Sequence, residues 1–202
     1  MVNILSLIIY AICLIIAITI HEFSHALTAD RLGDPTPRSQ GRLTLNPLKH
    51  LDPIGTIMIF LVHFGWGKPV PIDPYNLKNP KKDEMLISLA GPASNLIFAA
   101  LLSLIVRFIP LGLLATFLLS TAIQFNVLLA VFNLIPIPPL DGSKILLNLL
   151  PTSISEQWQE AFNQYGFILL IAFLFIPISN GATLVNIIVT PIMGFITHLL
   201  LG

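Results

Sequence analysis

His21-Glu22-Phe23-Ser24-His25 places two imidazoles at i and i+4, one turn apart on the same face of a helix. That spacing lets both ring nitrogens bind one zinc ion, with the intervening glutamate placed as general base for a metal-bound water. The residues ahead of the motif, Ile4 to Ile20, carry no charge. Ionisable side chains in such a setting are costly and usually functional. A hydrolytic zinc keeps three protein ligands and an open position, so a third ligand is required at the same depth. Asp141, beside Pro136, Pro138 and Pro139, is the candidate. Its alternative is the N-cap of a helix over 143–150. Asn133, an amide in an apolar run, suits an oxyanion donor. It equally suits a helix–helix hydrogen bond of ~0.6 kcal/mol. Asn95, after Gly91-Pro92, reads as a structural amide or a substrate contact. Cys13 reads as packing. His50, His63 and His198 have no partner at ligand spacing and read as loop or interfacial histidines. Trp66 and Trp158 read as membrane-interface anchors.

The elements that must carry these residues are membrane helices. The 202 residues are 55% hydrophobic and 10% charged, with a mean hydropathy of +0.87, where a soluble domain has roughly 25% charged residues. The pattern predicts an all-α polytopic membrane protein with about five transmembrane helices. One re-entrant or interfacial segment and a possible short β-hairpin complete it. All of 1–202 reads as one integral-membrane domain, with a core over 1–150 and a C-terminal helical hairpin over 165–202. The formal net charge of zero argues against a nucleic-acid partner. The N-terminus lacks a basic leader region, so the first apolar run reads as a retained span.

Spans are expected over 2–29, 85–109 and 111–135, with 166–178 and 182–201 split by Ser179-Asn180-Gly181. The stretch 152–164 is polar and reads as interfacial. The apolar run 54–64 is about 11 residues, short of the ~17 that a spanning helix needs. It is therefore expected to re-enter rather than cross, the alternative being a short tilted span. Residues 42–45 read as a strand with Gly41 at a turn, offering an edge to an unwound substrate. Arg31, Arg38, Arg42, Lys49, Lys68, Lys78, Lys81 and Lys82 all lie between the first two long spans, leaving only Arg107 and Lys144 elsewhere. The positive-inside rule then puts that region in the cytoplasm. The first and third spans become parallel, and His21, His25 and Asp141 fall at the same, cytoplasmic end.

Three motifs together carry a family resemblance: His21-Glu22-Phe23-Ser24-His25, Gly91-Pro92-Ala93-Ser94-Asn95, and Asn133-x-x-Pro136-x-Pro138-x-Leu140-Asp141-Gly142. Over most of 5–150 the chain resembles the site-2 protease family of intramembrane zinc metalloproteases. The stretch from Asn46 to Gly55 is similar to the short prokaryotic branch. The resemblance implies one zinc per chain held by His21, His25 and Asp141. It also implies Glu22 as catalytic acid/base and Asn133 as an intermediate-stabilising or substrate-binding amide. Ser24 stands where relatives often have glycine, and no PDZ or CBS module is present, so the regulatory input those modules give relatives is expected to be absent or to come from another chain.

The expected activity is an intramembrane zinc endopeptidase of a prokaryotic cell membrane, cleaving transmembrane segments of protein substrates. A prenyl-protein-processing type of zinc protease is the competing enzyme. It would use a glutamate as third ligand, and Glu84, Glu156 and Glu160 lie away from His21 in this topology. A non-hydrolytic zinc-binding membrane protein, a carrier or a substrate-binding scaffold, is the alternative from another class. A carrier needs a polar path, and the apolar runs supply almost none.

Overall fold

The computed structural model describes residues 4–62, 65–179 and 181–202, without the side chains of 59–62 and 179. His63 and Asn180 lie outside the described residues. The first helix, α1 (Ile4–Leu32), has 29 residues and so runs ~43 Å, longer than the ~30 Å hydrocarbon layer. It stops at Gly33, whose φ of +111° is a left-handed conformation that glycine adopts without strain. Asp34 then bonds its backbone N–H to Ala29 O at 3.0 Å. Its buried carboxylate accepts from the backbone N–H of Thr36, the backbone N–H of Asp73 and the Asn76 amide at 2.8–3.0 Å. A single side chain thereby ties the end of α1 to the loop around Asn76. One turn on, Pro37 and Pro35 shape the short α2 (Thr36–Ser39).

Helix α3 (Pro53–Val62) has 10 residues, ~15 Å, about half the hydrocarbon thickness. Asp52 caps it by accepting from Gly55 N at 2.8 Å. An isolated antiparallel bridge joins Leu51 to Gly67, and Lys68 N donates to His50 O at 2.8 Å. The chain therefore leaves and returns at one place, as the re-entrant reading requires. The expected strand over 42–45 is absent. Residues 43 and 44 form a bend, with Thr44 N on Arg42 O at 2.9 Å. The reason lies in the side chains. Arg42 turns inward onto the carbonyls of Lys68 and Pro69, and His50 takes Thr44 O, so no free edge remains.

Helix α4 (Pro80–Phe108) starts with proline at its first position, where the missing N–H costs nothing. Asp83 reaches back to Asn79 N at 2.9 Å. Residues 109–112 turn directly into α5 (Leu113–Asn133), making α4 and α5 antiparallel neighbours. Cys13 Sγ lies 3.8 Å from Leu118 O, and the Tyr10 ring packs on Phe117 and Phe125. These contacts pack α1 on α5, and the His21–Asn95 and His25–Ile87 contacts run α1 antiparallel to α4, so α1 is parallel to α5.

In lipid, helices gain little from hiding leucine and associate through close packing and hydrogen bonds. Small residues accordingly fill the seams: Ala17, Ala26, Ala29, Ala99 and Ala130 are fully buried. A larger cluster joins Ala99 and Leu102 of α4, Ile123 and Val127 of α5, and residues of the last two helices. The remaining elements are α6 (Asp141–Leu149), α7 (Thr152–Phe175), strands β1 (Pro177–Ser179) and β2 (Ala182–Thr183), and α8 (Leu184–Leu201).

Among the described residues, α1, α4, α5 and α8 are long and apolar enough to cross a membrane. The all-α polytopic architecture stands. Helix α7 differs in detail from the expectation, because nothing between Gln164 and Gly166 breaks it. The polar stretch and the following apolar run form one continuous helix. Gly166 is the point where α7 meets Pro138, which a Cβ would approach to 2.8 Å. The short hairpin sits at β1–β2, not at 42–45.

Candidate metal centre

The helical register of α1 presents His21 and His25 to α4, and the proline-broken turn after α5 presents Asp141 to both. Asp141 lies in the first turn of α6, whose N-cap position is Leu140. It is therefore not the helix cap, and its carboxylate faces the histidines instead. Asp141 Oδ2 is 3.0 Å from His21 Nε2 and 3.2 Å from His25 Nε2. One ligand atom from each of the three residues lies within 4.8 Å of the others. Ligands ~2.0–2.1 Å from a tetrahedral zinc are ~3.3 Å apart, so the set has the right span.

The other ring nitrogens fix the tautomers. His25 Nδ1 is 2.7 Å from Ile87 O, which can only accept, so Nδ1 carries the proton and Nε2 the lone pair. His21 Nδ1 is 2.7 Å from Asn95 Oδ1. That oxygen is assigned by Asn95 Nδ2, which donates to Ala17 O at 3.0 Å and to Asn126 Oδ1 at 2.8 Å. Two lone pairs and a carboxylate oxygen thus converge on one point. Such a donor set is repulsive unless a cation sits within it.

Gly91 supplies the floor. A Cβ there would come within 2.5 Å of His25 Nε2 and 2.6 Å of His21 Cε1. The pattern Gly91-Pro92 thus keeps α4 bare where the ligand atoms meet.

Glu22, between the two histidines, accepts from Val70 N through Oε2 at 3.2 Å. The extended strap 67–70 lies across it, and a Cβ on Gly67 would reach Oε1 at 3.6 Å. Arg42 pins this strap through Pro69 O at 2.8 Å and through Lys68 O. Burial pushes the Arg42 guanidinium down, and the Glu22 charge opposes that; it stays charged.

Of the residues expected at the site, His21, Glu22, His25 and Asp141 are brought together. Asn133, the last residue of α5, donates Nδ2 to Leu129 O at 2.9 Å within its own helix. Asn95 belongs to the site as the partner of His21. Asn126, Val70, Arg42 and Gly91 are additions that the sequence reading did not assign. Asn126 shares the signal of Asn95 and Asn133, an amide inside an apolar run. His50 is fully buried, its Nε2 on Thr44 O at 2.7 Å, and lies apart from the ligand set.

Comparison with known proteins finds a peptidase family and zinc metalloproteases. The model of a family described as Peptidase family M50 matches residues 109–173. The Bacillus subtilis protein named "Putative zinc metalloprotease YwhC" is 41% identical over 178 residues, 84% of this chain and 81% of that protein. "Putative zinc metalloprotease Rip2" of Mycolicibacterium smegmatis is 33% identical over 185 residues, 82% of this chain and 66% of that one. "Zinc metalloprotease MJ0392" of Methanocaldococcus jannaschii matches more locally, 37% identical over 73 residues, 36% of this chain and 22% of that protein. No solved structure matches the chain.

Proposed function

The chain belongs to peptidase family M50, the site-2 protease family of zinc metalloendopeptidases, and on that premise we propose that it hydrolyses peptide bonds within membrane-spanning segments of protein substrates. The observation that carries this reading is the convergence of His21 Nε2, His25 Nε2 and Asp141 Oδ2 at the end of an uncharged helix, with Glu22 on the same turn. In this proposal those three residues hold the metal and residues 1–202 act as one membrane domain.

Zinc, when bound, supplies a Lewis acid that polarises the scissile carbonyl and lowers the pKa of water. Glu22 takes the proton of the attacking water on its carboxylate and returns it to the leaving amide nitrogen. The Val70 N–H holds one Glu22 oxygen, leaving the other for that exchange. Asn95 and Ile87 keep both imidazoles in the tautomer that offers Nε2. Asn133 has a second amide hydrogen beyond the one given to Leu129, and in this reading it serves the oxyanion.

The basic residues between α1 and α4 support a cytoplasmic position for the site. The Leu51–Gly67 pairing supports the same, since α3 then returns to the side it left. A helical substrate buries its carbonyls in its own hydrogen bonds, so part of it must unwind before attack.

The test is cleavage of reconstituted single-span fusion proteins alongside the zinc content of wild type, Glu22→Gln and Asp141→Asn. Glu22→Gln is expected to keep zinc and lose activity by ~10²–10⁴-fold. Asp141→Asn is expected to lose zinc. Wild-type cleavage by Glu22→Gln would overturn the proposal, and zinc binding without any cleavage would favour a non-hydrolytic role.

A further inference from the structure

We infer that Asn126 is a positioning residue for the metal centre, acting through Asn95 to set the tautomer and angle of His21. The inference rests on reading His21 as a metal ligand. Asn126 and Asn95 are fully buried, and His21 is 4% exposed. The three sit on α5, α4 and α1, so one hydrogen-bonded line crosses the helical core.

That line has a single sense. Asn126 Nδ2 donates to Ala122 O at 2.8 Å, and a carbonyl can only accept. Asn126 Oδ1 must therefore face α4, where it accepts from Asn95 Nδ2 at 2.8 Å. Both Asn95 amide hydrogens are then used, on Asn126 Oδ1 and Ala17 O. Asn95 Oδ1 is left facing His21 Nδ1 at 2.7 Å. A flipped Asn126 would set amide nitrogen against amide nitrogen, and a flipped Asn95 would set its oxygen against Ala17 O and Asn126 Oδ1, both acceptors. Only one amide arrangement satisfies every group, and it draws a proton onto His21 Nδ1, leaving Nε2 as the nitrogen for a metal. Partners that orient a ligating histidine typically contribute 10–100-fold in metal affinity.

The inference is tested by zinc affinity, measured by chelator competition on the full-length protein. Asn126→Leu is expected to weaken zinc binding 10–100-fold. In an Asn95→Asp background both side-chain atoms are oxygens, either of which accepts from His21. There the same Asn126→Leu change is expected to cost less than about twofold if positioning through Asn95 is its role. A merely structural role predicts equal losses in the two backgrounds, and that result overturns the inference. So does an Asn126→Leu protein whose zinc affinity is within about twofold of wild type.

Protection of Cys13, 4% exposed against α5, from a maleimide checks that α1 and α5 remain packed. Should Asn126→Leu lose that protection, Asn126→Asp carries the test. It keeps an oxygen for Asn95 and is expected to bind zinc normally, and a tenfold loss there overturns the inference. Wild-type protein that binds no zinc overturns the metal reading itself.

Discussion

The backbone N–H of Val70 donates to Oε2 of Glu22 at 3.2 Å across 48 residues of sequence. The carboxylate proposed for proton transfer is thus held by main chain rather than by a side chain. Its placement depends on whatever holds the strap.

Arg42 does so, with one guanidinium on two successive carbonyls. Hydrogen bonds to a charged group contribute about 1.5–3 kcal/mol each. Arg42→Gln is expected to lower kcat/KM by roughly 10–100-fold, the loss of one such bond or more, while zinc content is unchanged. Steady-state kinetics beside metal analysis checks this, and an unaltered kcat/KM would remove Arg42 from the site.

Gly91 makes the opposite separation. Its missing Cβ is the space in which the histidine nitrogens meet. Gly91→Ala is expected to reduce zinc binding by an order of magnitude or more while α4 persists, since alanine favours helix by ~1 kcal/mol. Circular dichroism and metal content, measured together, decide it.

Asn133 offers a sharper choice. If its second amide hydrogen meets the oxyanion, Asn133→Ala lowers kcat by ~10²–10³-fold with zinc retained. If its bond to Leu129 is its whole role, kcat stays within a few-fold of wild type. Single-turnover cleavage distinguishes the two.

Acid sensitivity is expected outside the metal centre, at Asp34. Burial alone would raise its carboxyl, but hydrogen bonds from Thr36, Asp73 and Asn76 outweigh that and hold it below the usual range. A native value below the unfolded one gives stability that is present above the ordinary carboxylate pKa. It is lost as pH falls through the depressed native value. Asp34→Asn should flatten that acid limb in thermal-inactivation profiles of the detergent-solubilised protein.

The juxtaposition of the candidate ligands was legible because a helix fixes the spacing of His21 and His25, and because alternating spans bring Asp141 to the same end. Asn95 and Asn126 were visible only as amides in apolar runs. Which amide meets which depends on the rotation of each helix about its axis, and that is set by small-residue packing at Gly91 and Ala17. The stretch 42–45 misled for another reason, although His50 is the loop histidine it was read as. Between two membrane segments a polar stretch looks solvated, yet the Arg42 and His50 side chains are buried, serving carbonyls that no sheet satisfies. The strand was expected from Arg42 onward, and the extended chain is instead the strap that Arg42 holds. Helix α7 was divided because its polarity changes along its length, although its hydrogen bonding does not.

His21 and Asp141 stand 120 residues apart in the chain. At about 5–20 residues per second, the ribosome adds Asp141 roughly 6–24 s after His21. Until then α1 carries two histidines and a glutamate without the carboxylate that faces them, so on the proposed ligand set a nascent or truncated chain lacks a complete zinc site. On that ligand set, competence to cut arrives only once α1 and α5 lie side by side, and completion of the fold is itself the licence for activity.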